Sequence, residues 1–148
     1  GGTVCICPLT EANLGDGLAN IPFILRHGGR ICLGSDSNAR IDMLEEMRLL
    51  EYGQRLLNQG RGIIRDQRGQ MAPLLMQAAT LNGAHSLGLP AGAIKQGRLA
   101  DLACINLRHK QLSHIDRANL AEAMVIGCDG SVVSSTCVHG IWSSEDSI

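Results

Sequence analysis

Between residues 3 and 57 the chain twice runs from a short apolar strand through a polar loop into a helix, and that order confines it to few folds. The first strand is residues 3–7 (TVCIC), closed by Pro8. A polar, glycine-containing loop is expected over residues 9–17 (LTEANLGDG). A short helix over residues 18–27 then carries Ile21, Ile24 and Leu25 on one face, and Gly28 and Gly29 stop it. The second strand, residues 30–33 (RICL), leads through Gly34 to Asp36 and a second polar loop, residues 37–40. Asp42 caps a long helix, with Glu45 three residues on and Leu44, Met47, Leu50 and Leu57 as its buried stripe. Strands that alternate with helices pair in parallel through helical crossovers, so both polar loops leave the sheet on the same side. Such sheets carry their chemistry past the carboxyl ends of the strands, which singles out Asp36. Two such units do not close a barrel, which takes eight strands and typically about 250 residues.

The remainder changes texture. Residues 59–70 are basic, with Arg61, Arg65 and Arg68, and read as a solvated surface connection. Residues 71–87 are expected as one helix, with Leu74, Leu75, Ala78 and Leu81 at helical spacing and Gly88 after it. From residue 89 onward, Gly92, Gly97, Gly127, Gly130 and Gly140 punctuate short β-rich runs at 102–107, 124–128, 132–138 and 141–142. These suggest an antiparallel sheet, part of a small sandwich. The chain is therefore divided into residues 1–88 and residues 89–148.

Charge and composition exclude several functions. A net charge of −1 over 148 residues offers no field for nucleic acid, and Phe23, Tyr52 and Trp142 are too few to interleave with the arginines as stacking platforms. No apolar run approaches the roughly 18 residues that span a bilayer. None of the six cysteines forms a C-x-x-C pair. Cys5, Cys7, Cys32 and Cys104 sit in strand-like runs, and buried free thiols in a reducing cytoplasm are expected. The chain opens Gly1-Gly2 with no initiator methionine and reads as part of something longer.

Asp36 has two readings from its position alone: a catalytic or metal-binding carboxylate, or a cap for the turn through Ser37 and Asn38. Glu11, Asn13 and Asp16 would face the same mouth, either orienting a substrate or bonding within their own loop. Ser37, Asn38 and Arg40 carry the same ambiguity. The GDG and GG pairs lack the spacing of a phosphate loop.

Three blocks carry a resemblance: CPLTEANLGDG (residues 7–17), LGSDSNARIDMLEEMRLLEYGQRL (33–56), and AATLNGAHSLGL (78–89) with GRLADLACINL (97–107). Together they resemble the C-terminal part of the formimidoylglutamate deiminase family, within the amidohydrolase superfamily; the third block is shared across the superfamily and the first two are narrower. The resemblance implies the last two βα units of a (β/α)8 TIM barrel followed by part of a small β-sandwich domain. It implies one divalent metal, usually zinc, and hydrolysis of N-formimidoyl-L-glutamate to N-formyl-L-glutamate and ammonia in histidine degradation. It implies a cytoplasmic, homo-oligomeric enzyme with that small molecule as its partner. The family holds its metal with an H-x-H pair, a further histidine and an aspartate after strand eight. Asp36 matches that aspartate, as metal ligand and catalytic group. Glu11, Asn13, Ser37 and Asn38 fall where substrate contacts are expected. His27, His85, His109, His114 and His139 match none of the family's histidines, and its catalytic glutamate has no counterpart, so the isolated chain is expected to be inactive. An imidazolonepropionase or a purine deaminase is the nearest alternative, and a non-catalytic remnant or interaction domain is the alternative of another class.

Overall fold

The computed structural model describes residues 2–37 and 40–144. Strand β1 (Thr3–Ile6) pairs in parallel with β2 (Arg30–Leu33) in the register Thr3↔Arg30 to Ile6↔Leu33. Between them lie two helices, α1 (Pro8–Leu14) and α2 (Ile21–Arg26). The expected loop at 9–17 is thus largely helical. Pro8 occupies the first turn, where its fixed φ and missing N–H are no handicap, and the α1 helix ends at Gly15 with φ 75°. Helix α2 starts three residues later than expected, because Asn20 accepts a hydrogen bond from the Phe23 N–H and sets the cap there.

Helix α3 (Met43–Asn58) follows the register that its capping residue dictates. Asp42 Oδ1 accepts from the N–H groups of Leu44 at 2.9 Å and Glu45 at 3.2 Å. Leu44, Met47 and Leu50 are buried as the periodicity requires, whereas Leu57 is 58% exposed because the stripe has rotated away from the core by the last turn. The same buried face carries three polar residues, Glu46, Glu51 and Gln54. Glu51 accepts from Arg55 Nε (2.8 Å), Ile63 N (3.1 Å) and Ile64 N (3.0 Å), and so pins the segment after the helix to it. Gln54 Nε2 donates to the Ala19 carbonyl at 2.9 Å, which holds the approach to α2.

The single helix expected over 71–87 is two, α4 (Ala72–Ala79) and α5 (Leu81–Ser86), broken at Thr80. The Thr80 hydroxyl bonds back to the Met76 carbonyl at 2.8 Å, competing with the backbone ladder. Gly92, at φ +77°, lies so close under this break that a Cβ there would stand 2.7 Å from the Thr80 carbonyl oxygen.

Strand β3 (Leu102–Ile105) pairs antiparallel with β4 (Val133–Val138), and β4 with β5 (Ile141–Ser144), in the order β3-β4-β5. Trp142, the only tryptophan, lies on β5 opposite Cys137 and is 54% exposed. The run expected as a strand at 124–128 is instead the end of helix α6 (Leu120–Gly127), so the second half of the chain is less β-rich than its glycines suggest. Val125, with 0% exposure, turns inward from α6, and α6 packs on α3 and α4. The core does not divide at residue 88: Leu44, Met47 and Leu75 share one cluster with Leu112, Val125 and Val132. Asp42 Oδ2 also accepts from Gly130 N at 2.9 Å, and Arg48 Nη1 donates to the Cys128 carbonyl at 2.6 Å.

The cysteines also depart from expectation. Cys32, Cys128 and Cys137 are buried, Cys7 is half-buried, and Cys5 and Cys104 are exposed, all as free thiols. Cys5 on β1 and Cys104 on β3 fall at exposed positions of their strands. Among the described residues no helix is long and apolar enough to cross a membrane.

Candidate active site

The two parallel strands end level with each other, and the ladder extends one step further through Gly34 N to the Ile6 carbonyl at 3.1 Å. Past this point the chain diverges into α1 on one side and the turn holding Asp36 and Ser37 on the other. Asp36 is exposed and left-handed, with φ 48°, a conformation uncommon for any residue but glycine and tolerated best by Asn and Asp. Thr10 Oγ1 on α1 donates to the Ser35 carbonyl at 2.9 Å and fixes the turn to the helix. Asp42, rather than Asp36, caps α3.

Several carboxylates converge around the start of α1. Glu11 Oε1 accepts from Cys7 N at 3.0 Å, and Glu46 Oε2 accepts from Leu9 N at 2.9 Å. Both bonds satisfy N–H groups that the first turn of a helix leaves without a partner. Glu46 has 0% exposure, and its other oxygen, Oε1, is buried without a hydrogen-bond partner. Burial pushes the Glu46 carboxyl above the usual range, with Glu11, Glu45 and Asp42 adding to the rise and the Leu9 N–H opposing it. The Cys7 thiol is likewise raised, first by burial and then by the charges of Asp36, Glu11 and Glu46. The mouth at the strand ends is therefore negative.

Of the residues expected to meet a substrate, Asn13 and Ser37 are exposed on the two segments that frame this mouth. Glu11 is engaged with the backbone of Cys7, and Asn38 lies outside the described residues. Asp16 is exposed just after α1, and Arg40 pairs with Glu45 on α3. Glu46 and Thr10, which hold the two segments together, were not marked out by the sequence; the one available signal was a carboxylate lying on the apolar face of α3 between Leu44 and Leu50. The histidines sit elsewhere. His27 stacks on Phe23 at the end of α2, His85 meets Arg30, His109 caps a 3-10 turn, and His139 lies in the β4–β5 turn. Among the described residues no group of three His, Cys, Asp or Glu side chains is arranged to hold a metal ion. Asp36 supplies one carboxylate, and the described residues do not by themselves fit a metal.

Residues 1–141 match the amidohydrolase family. Formimidoylglutamate deiminase of Pseudomonas aeruginosa is 35% identical over 147 residues, covering 99% of this chain and 32% of the relative. A 5-methylthioadenosine/S-adenosylhomocysteine deaminase of Pyrococcus abyssi is 36% identical over 143 residues, covering 95% of this chain and 32% of the relative. Among solved structures, an amidohydrolase from Brucella melitensis superposes with a TM-score of 0.83 at 31% identity, over 98% of this chain and 32% of that one. An adenosine deaminase from Xanthomonas campestris, solved with bound zinc, gives 0.79 at 23% identity, over 95% of this chain and 31% of that one. The chain thus spans about a third of the length of the proteins it matches.

Proposed function

The chain belongs to the amidohydrolase family, and we propose that it forms part of a metal-dependent hydrolase that deiminates N-formimidoyl-L-glutamate, releasing ammonia and N-formyl-L-glutamate. The observation that carries this reading is Asp36, a carboxylate fixed beyond the end of a parallel strand in the negative mouth between α1 and the β2 turn. The likeness to the Pseudomonas aeruginosa deiminase over 99% of this chain supports the choice of substrate.

In this reading Asp36 is one ligand of a divalent metal whose other donors come from parts of the protein beyond this chain. A metal held there would supply an activated water, which is otherwise too weak a nucleophile near neutrality for an amidine carbon. The part assigned to this chain is local. The Asp36 carboxylate accepts a hydrogen bond or proton from the attacking water and returns it towards the departing nitrogen. Thr10, through Ser35, holds the turn that carries Asp36. Ser37 and Asn13 orient the substrate at the rim, and Glu11 and Glu46 build the floor through the backbone of Cys7 and Leu9.

A second reading, a nucleoside-type deaminase, has the 36% identity to the archaeal adenosine-derivative deaminase in its favour. The two are separated by assaying ammonia release from N-formimidoyl-L-glutamate and from 5-methylthioadenosine with the whole protein that contains this segment, beside its Asp36→Asn variant. Turnover of the first substrate alone, lost in the variant together with bound metal, is expected. Turnover of the nucleoside alone would overturn the proposal, as would an Asp36→Asn variant that keeps full activity.

A further inference from the structure

At the opposite end of the sheet from Asp36, a cavity of about 410 Å³ opens between the start of β2, helix α5 and the segment that follows it. Its polar lining contains Arg30, Arg98, His85 and Asn82, and among the described residues no carboxylate lines it. Arg30 Nη1 lies 2.8 Å from His85 Nδ1 and 3.2 Å from its Nε2. A guanidinium has only donors, so the imidazole nitrogen must accept. Of the two arginines that line the cavity, Arg30 is half-buried and Arg98 is exposed. Neither arginine has a carboxylate partner among the described residues. Two guanidinium groups facing one space without a counter-charge repel each other, and a bound anion removes that repulsion. Leu81, Leu89 and Ala91 give the lining an apolar part. The volume lies within the range of small-molecule pockets and exceeds what a bare inorganic anion fills.

We propose that this cavity is a binding site for a small phosphate monoester, its phosphate held between Arg30 and Arg98 and its organic part against Leu81 and Leu89. The guanidinium fork matches two phosphate oxygens at once, which a lone ammonium cannot do. Asn82 is fixed by donating Nδ2 to the Ile31 carbonyl at 2.8 Å, so α5 and β2 hold the two sides of the cavity at a set separation. Arg30 opens β2 and Asp36 lies past its end, so the cavity is separate from the Asp36 mouth.

Calorimetric titration of the whole protein that contains this segment with phenyl phosphate and with inorganic phosphate, at constant ionic strength, tests the assignment. Saturable one-to-one binding of phenyl phosphate is expected, tighter than that of phosphate. Arg98→Gln should weaken it about tenfold or more, the loss expected for one charged hydrogen-bonding partner. Arg98 is exposed, so that variant keeps the fold, and circular dichroism checks Arg30→Gln, which should weaken binding as much. Arg65→Gln, on the remote surface connection, should leave binding unchanged. Absence of saturable binding, or binding that survives both Arg30→Gln and Arg98→Gln, would overturn the proposal. Equal affinity for phosphate and phenyl phosphate would overturn the role given to the apolar wall.

Discussion

Replacing Asp42 by alanine removes three hydrogen bonds from one side chain. Two of them, to Leu44 N and Glu45 N, cap α3, and the third, to Gly130 N, ties the start of that helix to the turn before β4. Loss of an aspartate cap costs about 1 kcal/mol. Loss of a further partly exposed bond to a charged acceptor adds roughly 1 kcal/mol. The sum, about 2 kcal/mol, corresponds to a fall in Tm of roughly 4–8 °C for a chain of this size. Asparagine separates the two parts. Its Oδ1 still accepts from Leu44 and Glu45, but its amide nitrogen cannot accept from Gly130, so Asp42→Asn should lose only the second share. Urea unfolding of the three proteins, with hydrogen exchange at Gly130 and Ser131, measures both. The expected order of stability is wild type, then Asn, then Ala, with faster exchange at Gly130 in both variants. An alanine variant within about 0.5 kcal/mol of wild type, or exchange at Gly130 unchanged in the asparagine variant, would refute the assignment of Asp42 as a tie between the two halves.

Three further outcomes are expected. Glu51→Ala leaves Ile63 N, Ile64 N and Arg55 without their shared acceptor in the core, and should cost about 3–5 kcal/mol, with Glu51→Gln costing less; denaturant midpoints check this. Because burial raises the Glu46 carboxyl in the folded chain, its contribution is fully present below the unfolded value of about 4.3 and is lost as pH rises through the folded one. The stability of Glu46→Gln relative to wild type should therefore improve from pH 4 to pH 7, and a difference independent of pH would contradict the burial argument. Gly92→Ala forces a Cβ against the Thr80 carbonyl at a left-handed φ, and should lower Tm by several degrees, whereas Gly97→Ala, also left-handed but with open space around it, should lower it less.

The parts of the fold that the sequence disclosed are those set by local rules. Both parallel strands, the Asp42 cap and the Leu44–Met47–Leu50 stripe follow from neighbours a few residues apart, and each stands where periodicity puts it. The blocks at 7–17, 33–56 and 78–89 with 97–107 also carried the family, which the relatives bear out. What escaped depends on distant partners or on ambiguous local chemistry. Pro8 can end a strand or begin a helix, and the Glu46 bond to Leu9 N, 37 residues away, favours the helix. The run MVIGC has strand-like composition, yet Val125 finds its burial by turning inward from α6 against α3 and α4. For the site, the position of Asp36 was legible as a carboxylate after a strand, but its left-handed backbone and the Thr10–Ser35 bond that holds the turn were not. Glu46 was hidden because a glutamate within an amphipathic helix ordinarily faces water.

The placement of Trp142 gives the molecule a spectroscopic label of its own. With one indole in the chain, on an outer strand of the three-stranded sheet, tryptophan emission reports that sheet, while far-ultraviolet circular dichroism is dominated by the helices. The continuous core that runs from Leu44 to Val132 demands that the two signals vanish at one temperature. Loss of the tryptophan signal at a lower temperature than the circular dichroism would mean that the sheet lets go of the helices first, and the Asp42–Gly130 contact would be where it parts.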